Sequence, residues 1–267
     1  MSTVRPAAVA GTFYPASPVA LGAEVHAYLE ESSPLAQGAV RPKALIVPHA
    51  GYVYSGPIAA AAYRRLAVGC ENVDRVVLLG PAHRVRLRGL AVPSVDAFAT
   101  PLGEVEVDRA LVARALTLPQ VTESDRAHEL EHSLEVQLPF LQVLLPSFRL
   151  VPLAVGDATA EQVAEVIELL WGGPETLIVV SSDLSHYHAY DEARALDRAS
   201  ARTVLTLSPT LGYSQACGAL PINGLLSVAR HRGLRPELLD LRNSGDTAGD
   251  RIRVVGYGSF LFCEAAT

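Results

Sequence analysis

Short, strongly apolar segments alternate with helical patterns along most of this chain, and this alternation constrains its fold most. Segments such as Ala44–Val47 and Thr176–Val180 are so apolar that, as strands, they must be covered on both faces. Buried strands that alternate with helices form a parallel or mixed sheet between two helical layers. We therefore expect an α/β fold, a three-layer α/β/α sandwich with a mostly parallel or mixed central sheet, built by residues 1–267 as one domain.

The same patterns predict the other elements of secondary structure. Further strands are expected at Arg75–Leu79, Leu90–Val92, Leu150–Ala154, Leu238–Leu241 and Arg253–Phe262. Helices are expected at Pro18–Glu30, Pro57–Ala67, Asp108–Ala115, Ser133–Leu145, Ala160–Leu170, Asp191–Leu205 and Ile222–Arg232. The stretch from Glu31 to Arg41 contains Ser, Pro and Gly and predicts a loop.

Composition excludes several classes of protein. With 49% hydrophobic and 19% charged residues the chain is not disordered, and its net charge of −6 gives no reason to expect a nucleic-acid partner. Cys70, Cys217 and Cys263 are scattered singly, which predicts neither a disulfide framework nor a zinc finger and fits a reducing compartment. The opening residues lack the apolar core of a signal peptide, and no run is long enough to span a membrane. We expect a cytoplasmic protein with no membrane partner.

Several predicted strands run directly into a histidine or a carboxylate. The residues that follow four strands in this way are His49, His83, His186 and Asp246. Ligands of open α/β sheets bind beyond the carboxyl ends of the strands, so these residues can meet although they are distant in sequence. Two histidines and a carboxylate form the ligand set of non-haem Fe(II), while each residue alone is equally compatible with a capping or hydrogen-bonding role. Spacing alone leaves both readings open.

Residues His128 to His132 match the H-E-x-x-H pattern of zinc metalloproteases. That chemistry requires one continuous helix, whereas Ser133 is typical of a helix start and Pro139 would disturb a helix already formed. We therefore reject the protease reading and expect His132 to be a pocket residue at a helix N-terminus.

Arg84, Arg86 and Arg88 alternate after His83, which predicts one face of a strand. They form either a solvated edge or a rim that steers anions toward a pocket.

Several segments carry a resemblance to a known family. They are Ala10 to Pro15, Val47 to Gly56, Gly80 to His83, Glu131 to Glu135, Ser181 to His186, Ser244 to Asp246 and Val255 to Tyr257. In the same order they resemble the signature of the Memo family, which in prokaryotes is often called AmmeMemoRadiSam system protein B. The resemblance covers nearly the whole chain, and that name implies a functional link to AMMECR-type and radical-SAM proteins.

The resemblance implies a fold similar to the class III extradiol dioxygenases, which hold a non-haem iron with two histidines and an acid. It places His49 and His83 on the metal-binding histidines and His186 on the acid–base histidine, with Asp183 nearby. It also places Tyr54 and Phe13 on pocket positions that contact substrate. We assign His132, as a pocket residue, to the catalytic group.

This chain departs from the animal Memo pattern, in which a cysteine near the last loop is the third ligand. Thr247 aligns with that position, and the three cysteines lie elsewhere in the sequence. Either Asp246 is the third ligand, or two histidines and water hold the metal. The expected metal is Fe(II), with Cu or Zn as alternatives, and ring nitrogens of His49 and His83 should lie within ~5 Å of each other.

Two functions follow from these expectations. The first is an O2-dependent oxidoreductase that acts on a small, aromatic substrate. The second is a non-enzymatic protein that binds a peptide or small-molecule ligand in the same cleft.

Overall fold

The computed structural model describes residues 3–32 and 41–264, apart from the side chain of Cys70. The loop predicted between Glu31 and Arg41 lies mostly outside these residues. The strands are β1 (Val4–Arg5), β2 (Ala44–Val47), β3 (Arg75–Pro81), β4 (Leu90–Val92), β5 (Ala97–Thr100), β6 (Gly103–Glu106), β7 (Val121–Glu123), β8 (Arg149–Val155), β9 (Thr176–Ser181), β10 (His186–His188), β11 (Arg235–Asn243) and β12 (Val254–Cys263). The helices are α1 (Pro18–Glu31), α2 (Tyr52–Tyr63), α3 (Arg109–Ala115), α4 (Asp125–His128), α5 (Leu138–Leu144), α6 (Ala160–Leu169), α7 (Tyr190–Leu205) and α8 (Ala219–Arg232).

A mixed sheet organises the fold. Its strand order is β10-β12-β2-β9-β3-β8-β4-β7, and β11 also pairs with β12. Strands β2, β9, β3 and β8 are parallel to one another, whereas β12 and β4 join this group antiparallel. A smaller sheet contains β1, β5 and β6. The expected α/β class with a mixed central sheet is confirmed.

Helices cover the parallel strands. All residues of β2 and of β9 are buried, which requires cover on both faces of the sheet. Helix α2 packs against β2, β11 and β12 together with α1 and α5, while α8 packs against β3, β9 and α6. The fold is therefore an α/β sandwich. Within the described ranges, no helix combines the length and apolar character needed to cross a membrane.

Two predicted helix starts are wrong. Helix α2 begins at Tyr52 rather than Pro57, and Pro57 lies inside it, where its missing N–H removes one backbone hydrogen bond. The helix predicted from Ser133 is a 3₁₀ turn at Glu135–Gln137 followed by α5, with Pro139 in the first turn of α5. Proline is compatible with a first turn, since the N–H groups there have no helical partner. Strands β1, β5, β6, β7 and β10 were not predicted; each has only two to four residues, too few to show an alternating pattern.

The segment after β3 is a loop rather than the predicted strand. Residues 82–89, which we call the arginine loop, contain Arg84, Arg86 and Arg88. Backbone hydrogen bonds join it to the end of β8, from Asp157 N to Leu87 O and from Gly89 N to Asp157 O. The predicted alternation is nevertheless real, because Val85 and Leu87 pack against a small apolar cluster of three alanines.

Candidate functional site

The carboxyl ends of parallel strands β2, β3 and β9 meet at one edge of the sheet. His49 follows β2, His83 follows β3, and Asp183 and His186 follow β9. His132 reaches the same place from the connection between α4 and α5. All five side chains line a cleft of about 1730 Å³. The strand-end pattern therefore located a real pocket.

Three histidines converge in this cleft. One ring nitrogen from each of His49, His83 and His132 lies within 4.8 Å of one from each of the other two, and the described parts of the chain contain no other such group. The expected proximity of His49 and His83 is confirmed. An ion binds imidazole nitrogen at about 2.1 Å, so small side-chain rotations bring all three nitrogens onto one metal. His132 was expected as a pocket residue of the catalytic group, and here it is one of the three candidate metal ligands.

Hydrogen bonds fix which nitrogen of His49 faces the cleft. The Ser181 hydroxyl donates to Ser133 O and accepts from Gln137 Nε2, which also donates to Pro48 O. His49 Nδ1 lies 2.9 Å from Ser181 Oγ, whose one proton is already used, so Nδ1 must be the donor. The lone pair of His49 is therefore on Nε2. Burial lowers the pKa of His49 well below its usual range, so the ring is neutral, as a ligand must be.

Glu131 orients His83 in the same way. Its carboxylate accepts from the backbone N–H of His83 and lies 2.9 Å from His83 Nδ1, which leaves Nε2 for a metal. It also accepts from Ser133 N. Burial opposes the charge, but hydrogen bonds from the His83 ring and from both N–H groups lower the pKa of Glu131 to about 2. A carboxylate–histidine pair of this kind fixes the tautomer of a metal ligand and increases its basicity.

His132 completes the set of three imidazoles. Its ring is stacked on His83, with centroids 4.9 Å apart. Burial lowers the pKa of His132 to about 4, with a smaller contribution from Arg84, although the charge of Glu131 acts in the opposite direction. Its Nδ1 is buried and forms no well-aligned hydrogen bond in the described residues, although Glu131 Oε1 lies 3.4 Å from it. Three imidazole nitrogens are a ligand set that fits a divalent transition metal.

Asp246 does not join the histidines. Its Oδ2 accepts from Asn243 N in a capping box and its Oδ1 accepts from the Tyr190 hydroxyl, while the side chain is exposed. A short carboxylate satisfies the N–H groups at the start of its own turn more readily than a distant ion. The structure therefore favours the capping role over the expected third-ligand role.

Cysteine is present in the cleft, contrary to the sequence analysis. Cys217 lies in the loop before α8, and its Sγ is 3.3 Å from His49 Nε2. Burial raises the pKa of this thiol to about 12. A single cysteine outside any spaced motif gave no signal of this contact, and alignment with the last loop directed attention to Thr247 instead. Cys217 and Glu131 are the two site residues that sequence reasoning missed.

His186 and Asp183 lie in the cleft beside the three histidines. His186 Nδ1 donates to Leu184 O at 2.9 Å, so Nε2 is free to exchange a proton with a ligand. Asp183 Oδ1 accepts from His49 N at 2.8 Å and so holds the β2 loop against the β9 loop. Burial raises the pKa of Asp183 to about 6, although the His49 N–H and the His186 ring act in the opposite direction.

Aromatic residues form two walls of the cleft. Phe13 lies with its ring centroid 4.8 Å from that of His132. Tyr54, in the first turn of α2, is 38% exposed and also lines the cleft, whereas Tyr52 is buried and donates to Val136 O. Both residues expected to contact substrate therefore lie where a ligand can reach them.

The rejection of a zinc protease agrees with the structure. Helix α4 ends at His128, so His128 and His132 do not share a helix. His128 is buried, with Nε2 3.0 Å from Ala91 O.

Replacing Glu131 with Gln is expected to weaken metal binding by about 10- to 100-fold, because the side chain keeps its shape but loses the charge that orients His83. Competition with a chelator of known affinity measures the change. Glu129→Gln is the matched control, since Glu129 is exposed two residues away. An affinity for Glu131→Gln within about twofold of the control would show that this contact does not support a metal ligand.

Comparison with known proteins identifies the family of this chain. The sequence model of the Memo-like protein family matches residues 5–261. A MEMO1 family protein of Sulfolobus acidocaldarius is 36% identical, covering 97% of this chain and 99% of its own. MEMO1 family proteins of Aquifex aeolicus and Archaeoglobus fulgidus are 37% and 38% identical and cover 97% and 95% of this chain and 99% and 97% of their own. The chain therefore belongs to the Memo family.

Proposed function

We propose that the cleft holds a divalent metal, Fe(II) in the first instance, and catalyses the O2-dependent oxidation of a small aromatic substrate. The convergence of His49, His83 and His132 carries this proposal. Imidazole nitrogens suit Fe, Cu and Zn alike, and the fold that the sequence resemblance implies, similar to the extradiol dioxygenases, supports iron as the first choice. Bound iron would supply open coordination positions for substrate oxygens and O2.

The protein residues would orient the substrate and move one proton. With Nδ1 held by Leu184 O, His186 Nε2 accepts the proton of a substrate hydroxyl that enters the cleft. Phe13 and Tyr54, which both line the cleft, would contact the ring of the substrate. Ring opening places both atoms of O2 in the product, so the reaction needs no further reductant.

The experiment uses protein loaded anaerobically with Fe(II), to which O2 and catechol are added. We expect catechol-dependent O2 uptake, and we expect His186→Gln to lower kcat by about 100-fold with iron content unchanged. His231→Gln is the control, because His231 is exposed on α8 and does not line the cleft. Full activity of His186→Gln would show that His186 is not the acid–base residue. Iron retention without catechol-dependent O2 uptake would show that the proposed oxidation does not take place.

A binding function in the same cleft is the second candidate. Its volume of about 1730 Å³ exceeds the roughly 300–1,000 Å³ typical of small-ligand sites. Tyr187 and Tyr213, which also line it, are 64% and 66% exposed and offer contact surface for a longer ligand such as a peptide. Iron retention together with peptide binding, in the absence of O2 uptake, would favour this function.

A further inference from the structure

The arginine loop presents its charges to the cleft. Arg84, Arg86 and Arg88 line the cleft and are exposed, whereas Val85 and Leu87, which also line it, are half-buried against the small alanine cluster. Within the loop Arg84 follows His83 directly, so the charges begin next to the candidate metal centre. The loop therefore gives this side of the cleft three exposed positive charges.

These three guanidinium groups are not used by the fold. In the described parts of the chain none of them forms a hydrogen bond or an ion pair through its side chain. Arg253, which also lines the cleft, differs because its guanidinium lies over the Tyr187 ring, 5.5 Å from the centroid. Arginine that supports a fold is normally paired in this way.

The charge of the loop is also opposite to that of the whole molecule. The chain has a net charge of −6, so an approaching anion is repelled at long range unless a local positive field guides it. Asp157 lines the same side of the cleft but forms no ion pair with the loop arginines in the described residues. Three free guanidinium groups beside one carboxylate leave the loop cationic.

The loop is held rigidly enough to act as a binding surface. Its backbone pairs with residues 156 and 157 at the end of β8. A Cβ atom at Gly156 would lie 2.1 Å from Leu87 O, so only glycine permits this close approach. A loop that is already fixed loses less conformational entropy on binding a ligand than a mobile loop does.

We propose that the arginine loop binds the carboxylate or phosphate group of a small molecule that occupies the cleft. The proposal uses the cleft of the proposed function and names the class of its ligand, but it does not require that a metal be bound. Guanidinium groups pair with both anions through parallel N–H···O bonds, so the two sources share one chemistry.

Benzoate, phenylphosphonate and neutral benzamide test the proposal, because they differ in the charged group. Each is titrated into the full chain, as purified and after chelator treatment, and binding is followed by calorimetry and amide chemical shifts. We expect at least one anion to bind about 10-fold more tightly than benzamide, with shifts in residues 82–89. The better of the two anions identifies the carboxylate or the phosphate class.

The triple variant Arg84→Met/Arg86→Met/Arg88→Met is expected to reduce this preference to within about twofold. The control triple variant at Arg114, Arg126 and Arg230 carries the same change of net charge on exposed residues outside the cleft, and it should keep the preference. The single variant Arg86→Met should show part of the loss. Equal binding of all three probes, no binding of either anion, or an unchanged preference in the loop variant would overturn the proposal. Because chelator-treated protein is included, loss of the metal proposal would leave this result intact.

Discussion

Replacing His49, His83 or His132 singly with Ala is expected to weaken binding of Fe(II) by at least about 100-fold. Loss of a residue that only orients a ligand typically costs about 10- to 100-fold, and loss of the ligand itself should cost more. Each variant removes one of three nitrogens that converge within 4.8 Å, and two imidazoles cannot replace the lost bond. Elemental analysis after anaerobic loading and gel filtration, followed by chelator competition, measures the effect.

Asp246→Asn is the control for this series. Its carboxylate caps its own turn and is exposed, so metal affinity should stay within about twofold of wild type. Thermal unfolding of the metal-free variants shows whether each one folds, which matters most for His49 because that side chain is 2% exposed. If all three alanine variants retain iron like wild type, the three-histidine centre is not the metal site.

Cys217→Ser tests whether the thiol beside His49 also contributes to metal binding. The thiol lies 3.3 Å from His49 Nε2, close enough to share an ion with it. A loss of affinity that is larger for Cu and Zn than for Fe would indicate a sulfur ligand, since thiolate favours softer metals.

The polar residues at strand ends were the most informative part of the sequence. His49, His83 and His186 were expected to meet because parallel strands end at one edge of a sheet, and the structure places all three in one cleft. That inference needs only the order of the strands and not the details of packing. The class of the fold was predictable because it too follows from the order of apolar strands and helices along the chain.

The sequence was less informative about what each residue does in the cleft than about which residues lie there. Whether Asp246 points at an ion or caps its turn depends on side-chain rotation, which spacing does not determine. His132 and Cys217 come from connections that are not strand ends, so no pattern of apolar strands could place them. Their positions depend on how the β8, α4 and α8 regions pack, and this is a property of the whole fold.

Replacing Glu135 with Ala is expected to lower the free energy of unfolding by about 3–5 kcal/mol, the cost of breaking a buried ion pair by removing one partner. Glu135 is fully buried and pairs with Arg5 at 2.6 Å. It also accepts from Ala8 N, Val9 N and the Tyr14 hydroxyl. Val9 N and the Tyr14 hydroxyl would be left buried without this acceptor, and the buried Arg5 guanidinium would lose its counter-charge.

The loss should also reach the candidate site. The guanidinium of Arg5 donates to His128 O and Glu131 O, and thus joins the N-terminal segment to the connection that carries His132. Phe13 on that segment contacts the His132 ring. We therefore expect Glu135→Ala to weaken metal binding as well as stability, and urea unfolding with chelator competition measures both.

A second pair of variants separates the ion pair from the burial of charge. Glu104→Ala, at an exposed site, should change stability by no more than about 0.5 kcal/mol. The double variant Arg5→Met/Glu135→Leu removes both charges, so it should be more stable than Glu135→Ala alone, although three donors still lose their acceptor. If the free energy of unfolding of Glu135→Ala lies within about 1 kcal/mol of the wild-type value, water must replace the carboxylate. The hydrogen bonds of Glu135 would then not be what holds Phe13 against the histidines.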